Sequence, residues 1–305
     1  MPKLLFLFLD GVGIGPDDPE TNPLAQADMP FLEGLLGGTK LVSGLNGIET
    51  QAASLFQLDA LLGIDDIPQS ATGQAALLTG KRVPELTGYH YGPKPNPEVA
   101  EIIKQGTIFS DLVSRRQKAA LLNAYPGRYF EGIQSGKRLY SAVPLAVTEA
   151  GLDLMDADDF YNARAISVDF TGEAWREHLG YSDAPLRSEA EAGSFLVELA
   201  SGYDFSFFEF WITDMIGHRQ DMPGAIQILG LLDQILQGML SSPGAEELLI
   251  LITSDHGNME DLSTRRHTKN PVPAIVIGPP ESRAQFGAQL KSLADVAPAI
   301  ASYLS

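Results

Sequence analysis

The sequence predicts an α/β protein with a mostly parallel central sheet, and three observations carry that prediction. Apolar runs at Leu4 to Leu9, Phe205 to Ile212 and Glu247 to Thr253 have the length and the β-branched or aromatic content of buried strands. Amphipathic helical patterns stand between them, as in a chain that crosses over from strand to parallel strand. Each run delivers an acid just past its end: Asp10, Asp214 and Asp255. In an open α/β sheet that is the edge where ligands bind.

Strand Leu4 to Leu9 leads into Asp10-Gly-Val-Gly-Ile-Gly15. The glycines do not make a dinucleotide fingerprint, because Pro16-Asp-Asp-Pro19 follows and stops a helix from starting there. A nicotinamide-dependent enzyme is rejected on that ground, and Asp10 is left as an acid whose burial needs a partner or a metal. Residues 28 to 36 read as a short helix, with turn signals at Gly44, Asn46-Gly47 and Ile67-Pro68. In Gln69-Ser-Ala-Thr72-Gly-Gln-Ala-Ala-Leu-Leu-Thr-Gly80, small and apolar residues recur at helical spacing, so Ser70 to Thr72 lie at a helix N-terminus. Unpaired N–H groups there favour an anion; the simpler alternative is that Ser70 or Thr72 is an N-cap.

Residues 82–105 are rich in Pro, Gly and Tyr and read as an ordered loop or small lid. His90 has no nearby carboxylate or second histidine and reads as structural or substrate-facing. Thr107 to Ser114 is an amphipathic helix, and Lys118 to Asn123 a core strand. Residues 125–189 have few long apolar runs, an acidic patch from Asp153 to Asp159, and His178 on a solvated helix face. With 82–105 they are expected to form lid insertions on a core built from 1–81, 106–124 and 190–305. Basic residues in these insertions are thinly spread: Lys94, Arg128, Lys137, Arg138 and Arg164.

Arg187 to Ser201 is an amphipathic helix that feeds the Phe205 strand. After it, Asp214 and His218 are four residues apart, so one helical turn sets both side chains on the same side. A helix over about 223–240 returns the chain to the strand ending at Thr253, and Ser254-Asp255-His256-Gly257-Asn258 follows. The adjacent Asp255 and His256 suit a borderline divalent cation, or else Asp255 caps the next turn and His256 lies on the surface. His267 stands in Arg265-Arg-His267-Thr-Lys-Asn-Pro-Val-Pro273, before a strand at Ala274 to Ile277 and a closing helix around 292–303.

The chain carries 21 Lys plus Arg against 39 Asp plus Glu, a formal charge of −18, which argues against nucleic-acid and anionic-membrane partners. An anionic substrate therefore needs local cations. The absence of cysteine excludes disulfides and thiolate metal sites. The opening apolar run is too short for a secretory signal, and no stretch approaches the ~18 apolar residues of a membrane span, so a cytoplasmic protein is expected. Nothing in the sequence speaks to oligomeric state.

Asp10, Asp214, His218, Asp255, His256 and His267 thus come from different strand ends and converge at one sheet edge, the geometry of a metal site. Together with the Thr72-Gly73 turn, the motifs Leu9-Asp10-Gly-Val-Gly-Ile-Gly15, Asp214-x-x-x-His218, Ser254-Asp255-His256-Gly257-Asn258 and His267-Thr-x-Asn-Pro-Val-Pro273 resemble the alkaline phosphatase superfamily. The closest branch is that of cofactor-independent phosphoglycerate mutase and phosphopentomutase. The resemblance covers roughly residues 1–80 and 205–280 and leaves the middle unmatched. It implies a three-layer alkaline phosphatase-like sandwich and two divalent metal ions, Zn²⁺ or Mn²⁺. One would be held by Asp214, His218 and His267, the other by Asp10, Asp255, His256 and the Thr72 hydroxyl. Thr72 would be the nucleophile acting on a small phosphorylated substrate. The branch carries a large cap where this chain has small insertions, and phosphopentomutase has His where this chain has Gln74. A phosphoester hydrolase with a phosphothreonine intermediate is therefore the expected activity. The alternatives are a small-capped phosphomutase and, further off, a non-catalytic metal-binding protein.

Overall fold

Seven strands form one sheet: β1 (Lys3–Leu9), β2 (Ile48–Glu49), β3 (Ala53–Leu58), β4 (Ala119–Leu121), β5 (Phe205–Phe210), β6 (Leu248–Thr253) and β7 (Val272–Ile277). The computed structural model describes residues 2–45 and 47–305, so the turn expected at Asn46-Gly47 falls partly outside the described residues. The strand order is β2-β3-β7-β6-β1-β5-β4. The four strands β6, β1, β5 and β4 run parallel, and β7, β3 and β2 extend one edge antiparallel.

Both faces of the parallel strands are buried, which is why these strands read as unbroken apolar runs. Leu4, Phe6 and Phe8 of β1 pack on one face with Phe205, Phe207, Leu249 and Leu251. Leu5 and Leu7 pack on the other with Phe208, Phe210, Leu248, Ile250 and Ile252. Helices cover each face, giving three layers. The helix Ser70–Thr79 is buried from Ser70 to Leu78, and this explains its run of small and aliphatic residues. On the opposite face, helices Glu189–Ala200 and Met222–Leu240 pack together over β1 and β6.

The two expected insertions are more deeply built in than a lid would be. Helix Pro97–Lys104 sends Val99 and Ile103 into the main core, and helix Ala142–Glu149 sends Ala142, Val143, Ala146 and Val147 into it. Their short apolar stripes of two to four residues are too brief to stand out in the sequence as core elements. The rest of 125–189 closes around a small satellite cluster of Phe160, Ala165, Trp175 and Ala184. No helix among the described residues is long and apolar enough to cross a membrane.

One acid sits inside the sheet. Glu209 of β5 is buried, and burial pushes its carboxyl up to about 7 although the Tyr125 hydroxyl donates to it at 2.6 Å. Between its ordinary value and about pH 7 the folded chain holds a proton that the unfolded chain releases, so stability falls as pH rises through that window. Glu209→Gln is expected to stabilise the protein at pH 8.5 by roughly 2–3 kcal/mol and to change little at pH 5. Urea unfolding at the two pH values measures this; an equal effect at both would refute it.

Candidate metal centre

The carboxyl ends of β1, β5 and β6 place the predicted acids side by side. Asp10 follows β1 directly, and its backbone N–H donates to the Phe210 carbonyl at 3.0 Å, tying it to the end of β5. Gly11 then turns the chain with φ +70°, and a Cβ there would lie 2.6 Å from Asp214 Oδ1, so only glycine admits the two loops this close. Asp214 and His218 lie on the helix Ile212–Arg219, one turn apart as their spacing predicts, with His218 Nε2 3.2 Å from Asp214 Oδ2. Asp255 and His256 leave β6 fully buried, and Gly11 N–H donates to Asp255 Oδ1 at 3.3 Å.

Six of the predicted ligands form two linked groups. In the first, His256 Nε2 stands 3.3 Å from Asp10 Oδ1 and 3.6 Å from Asp255 Oδ2. In the second, His267 Nε2 is 3.2 Å from His218 Nε2 and 3.5 Å from Asp214 Oδ1. The His256 and His267 rings stack at 3.8 Å between centroids, joining the groups.

Hydrogen bonding orients the imidazoles. His267 Nδ1 lies 2.8 Å from the Pro68 carbonyl and His218 Nδ1 2.8 Å from the Arg265 carbonyl. A carbonyl only accepts, so both Nδ1 atoms carry hydrogen and both Nε2 lone pairs face the acids, the tautomer a metal ligand requires. Burial, with the Asp255 carboxylate beside it, raises the Asp10 carboxyl well above the ordinary range, and Asp10 Oδ1 has no hydrogen-bond donor. Burial holds His267 down at about 4; it opposes protonation of His256 too, yet the Asp255 and Asp10 carboxylates push that ring up to about 10. A proton on His256 stands where a cation would compensate three carboxylates. Three acids and three imidazoles without thiolate, with an orphaned carboxylate oxygen at their centre, fit a pair of hard-to-borderline divalent cations.

The seventh predicted ligand is elsewhere. Thr72 Oγ1 donates to the Gln69 carbonyl at 3.1 Å and accepts from Tyr91 N–H at 3.1 Å, which fastens the 89–93 loop to the helix start. Ser70 takes the expected place: its Oγ lies 3.0 Å from His256 Nε2. Its helix begins without a side-chain cap, although the Thr72 N–H donates to the Tyr91 carbonyl at 3.1 Å, and the contact of Ser70 with His256 brings the positive end of the helix dipole beside the cluster. Of the other histidines, His90 bonds the Ile64 carbonyl at 3.2 Å, a structural contact, and exposed His178 lies away from the site at the end of helix Glu173–His178.

Residues 160–305 match the family model of the metalloenzyme superfamily. A 2,3-bisphosphoglycerate-independent phosphoglycerate mutase of Thermococcus gammatolerans is 25% identical over 92% of this chain and 73% of its own length. One from Paracoccus denitrificans is 37% identical over 39% of this chain, and the match spans about a quarter, 25%, of that relative. The fold superposes on alkaline phosphatase from the Antarctic bacterium TAB5 with a TM-score of 0.56 at 12% identity, covering 99% of this chain and 98% of that one. The chain is therefore similar to the metalloenzyme superfamily over residues 160–305 and shares its fold with alkaline phosphatase. The mostly parallel sheet and the three layers are thus those of an alkaline phosphatase-like fold.

Three further residues complete the site without having been singled out as site residues from the sequence. Gln74 Nε2 donates to Asp10 Oδ2 at 3.2 Å and Asp255 Oδ2 at 3.1 Å, bridging two acids from the helix layer. Asn258 Nδ2 donates to Asp214 Oδ1 at 2.6 Å. Glu260, fully buried, accepts from Gly13 N–H at 2.9 Å, Asn258 N–H at 2.7 Å, Asn270 Nδ2 at 3.1 Å and the Thr268 hydroxyl. It therefore locks together the loops that carry Asp10, Asp255-His256 and His267. Its signal was an acid two positions after the Asp-His-Gly-Asn motif. Glu260→Gln replaces one acceptor oxygen by a donor facing other donors, which costs about 1–3 kcal/mol. Metal affinity is expected to fall roughly 10- to 100-fold, the range for a lost outer-shell partner. Calorimetric metal titration beside a thermal melt checks both; unchanged affinity would show that Glu260 only stabilises the fold.

Proposed function

We propose that this chain is a binuclear metal-dependent phosphoryl-transfer enzyme of the small-capped phosphomutase kind, with Ser70 as nucleophile. The observation that carries the reading is Ser70 Oγ at 3.0 Å from His256 Nε2, at a helix start with no side-chain cap. Asp214, His218 and His267 would hold one cation, and Asp10, Asp255 and His256 the other. Bound together, such cations lower the pKa of a nearby hydroxyl and neutralise charge on a transferring phosphoryl group.

The residues then have separate tasks. Ser70 Oγ, deprotonated, attacks phosphorus in line; a P–O bond to Ser70 forms as the bond to the substrate oxygen breaks, and that oxygen leaves and takes up a proton. The Ser70 and Ala71 N–H groups at the start of the helix bind the equatorial oxygens, those of Thr72 and Gly73 being held by the Tyr91 and Gln69 carbonyls. Gln74 bridges Asp10 and Asp255, and Asn258 fixes Asp214. Return of the phosphoryl group to another hydroxyl of the same molecule completes a mutase cycle, whereas transfer to water gives a hydrolase.

The sequence relatives are named as mutases, which supports isomerisation over the hydrolysis expected from the small insertions. The test is the fate of the phosphoryl group. Phosphorylated polyols and hydroxy acids are incubated with Mn²⁺- or Zn²⁺-loaded protein and followed by phosphorus NMR, with mass spectrometry of the quenched enzyme. A positional isomer with little free phosphate, and phosphate on Ser70, is the expected result. Inorganic phosphate as sole product would return the hydrolase reading, and turnover with no phosphoenzyme would remove the covalent mechanism.

A further inference from the structure

Among the described residues Trp211 is the largest apolar side chain left to solvent, 43% exposed, and no step assigned to the metal centre or to Ser70 uses it. The exposed tyrosines have ring partners: Tyr89 and Tyr91 lie against each other, and Tyr161 lies against Phe160 and Tyr181. The other tryptophan, Trp175, is 2% exposed and packs on Phe160 and Tyr181. Exposed leucines such as Leu86 and Leu139 are ordinary surface. An indole is a different case when the backbone holds it beside metal ligands.

Two contacts set Trp211 there. Phe210, just before it, accepts the Asp10 N–H at 3.0 Å, and Thr213, two residues on, donates its hydroxyl to the Asp10 carbonyl. Trp211 is thus bracketed by bonds to the residue that opens the first ligand group. Its own backbone is helical, with φ −89° and ψ 0°, and its carbonyl accepts from the Met215 N–H. At about 100° per residue from Trp211, Asp214 falls near 300° and His218 near 340°, so the three side chains leave one face of the helix. Thr213, Ile216 and Gly217 form the buried face opposite. The face that delivers two ligands therefore continues, one turn toward the N-terminus, in an exposed indole. Helical side chains lean toward the N-terminus, which carries the indole to the flank of the ligands. It has no charge and offers only a flat apolar face with one N–H at its edge.

We infer that Trp211 is a specificity-determining residue that stacks on the carbon skeleton of the phosphomonoester, while the metals and Ser70 hold its phosphoryl group. The inference rests on the phosphoryl-transfer reading for where the phosphorus sits. It selects among phosphomonoesters by the apolar face of the organic group, a property that the Asp and His ligands cannot read.

The test is equilibrium titration of the metal-loaded Ser70→Ala protein, in which no transfer accompanies binding. Phenyl phosphate, methyl phosphate and inorganic phosphate are compared at pH 8, since they share the phosphoryl group and differ in the face they offer an indole. Phenyl phosphate is expected to bind about 5-fold tighter than methyl phosphate or more, the order of one aromatic stacking contact. Adding Trp211→Ala should erase that preference and Trp211→Phe should keep part of it, with affinity for inorganic phosphate within about twofold in both, because neither removes a ligand or the Ser70 helix start. Fluorescence gives a second readout: phenyl phosphate should change the emission in the Trp211 protein and not in Trp211→Phe, where buried Trp175 remains as the reference. Equal affinities for phenyl and methyl phosphate would overturn the inference, as would a preference that survives Trp211→Ala. Sedimentation in which Trp211→Ala separates a dimer while every ligand affinity stays unchanged would overturn it too, for a second copy would then cover the indole. Failure of the phosphoryl-transfer reading would appear separately, as absent turnover in the Ser70 protein.

Discussion

Ser70→Ala is expected to lower kcat by on the order of 10³-fold or more while leaving metal content unchanged, because it deletes the attacking oxygen and none of the six Asp and His ligands. Thr72→Val should behave oppositely. It removes the hydrogen bonds to the Gln69 carbonyl and Tyr91 N–H, at a cost of about 1–2 kcal/mol in stability, and leaves turnover within about tenfold. The two substitutions sit two residues apart, so local damage to the helix start would affect both alike. Steady-state kinetics with metal analysis and melts on each variant separates the roles. Full loss in Thr72→Val with intact folding and metal, beside a Ser70→Ala enzyme that still turns over, would reverse the assignment.

Removal of divalent metal is expected to abolish turnover and to cost several degrees of thermal stability. At a hundredfold excess over Kd, a ligand that binds only the folded state adds roughly 3 kcal/mol, worth about 5–10 °C in a chain of this size. Asp10 and Asp255 are pushed up by burial in the metal-free protein, so between the ordinary carboxylate range and their raised values the folded state holds more protons than the unfolded chain. Metal-free stability therefore falls as pH rises through that window. Metal binding expels those protons, so the gain on adding Mn²⁺ or Zn²⁺ grows with pH. Asp255→Asn should raise metal-free stability at neutral pH, since it removes a buried charge, and should largely erase the metal-induced shift. Scanning calorimetry at pH 5.5 and 7.5, with chelator and with each metal, supplies the comparison. A melting temperature indifferent to metal, or a full shift retained in Asp255→Asn, would count against the centre.

Much of this protein is local and so was legible before folding. Strands buried on both faces must be continuous apolar runs, and β1, β5 and β6 are; the acid after each is delivered to the carboxyl edge by the strand itself. Five of the predicted ligands converge because each stands within a few residues of such a strand end, or one helical turn from an acid that does; His267 comes from the loop that enters β7, which runs antiparallel to β6 and so starts at the same edge. What only the tertiary structure decided depends on rotation and on contacts between distant segments. Ser70 and Thr72 are both hydroxyls at one helix start, and two residues along an α-helix turn the side chain by roughly 200°, so only one can face the acids. The choice fell to Ser70 because Gly73 packs against Asp255, where a Cβ would lie 2.7 Å from its carbonyl oxygen, and Tyr91 closes over Thr72. Glu260 could not be singled out because its four donors come from the loops of three separate motifs. The helices at 97–104 and 142–149 read as insertions because many of their contacts are with each other and with the Ser70 helix, which are distant in sequence.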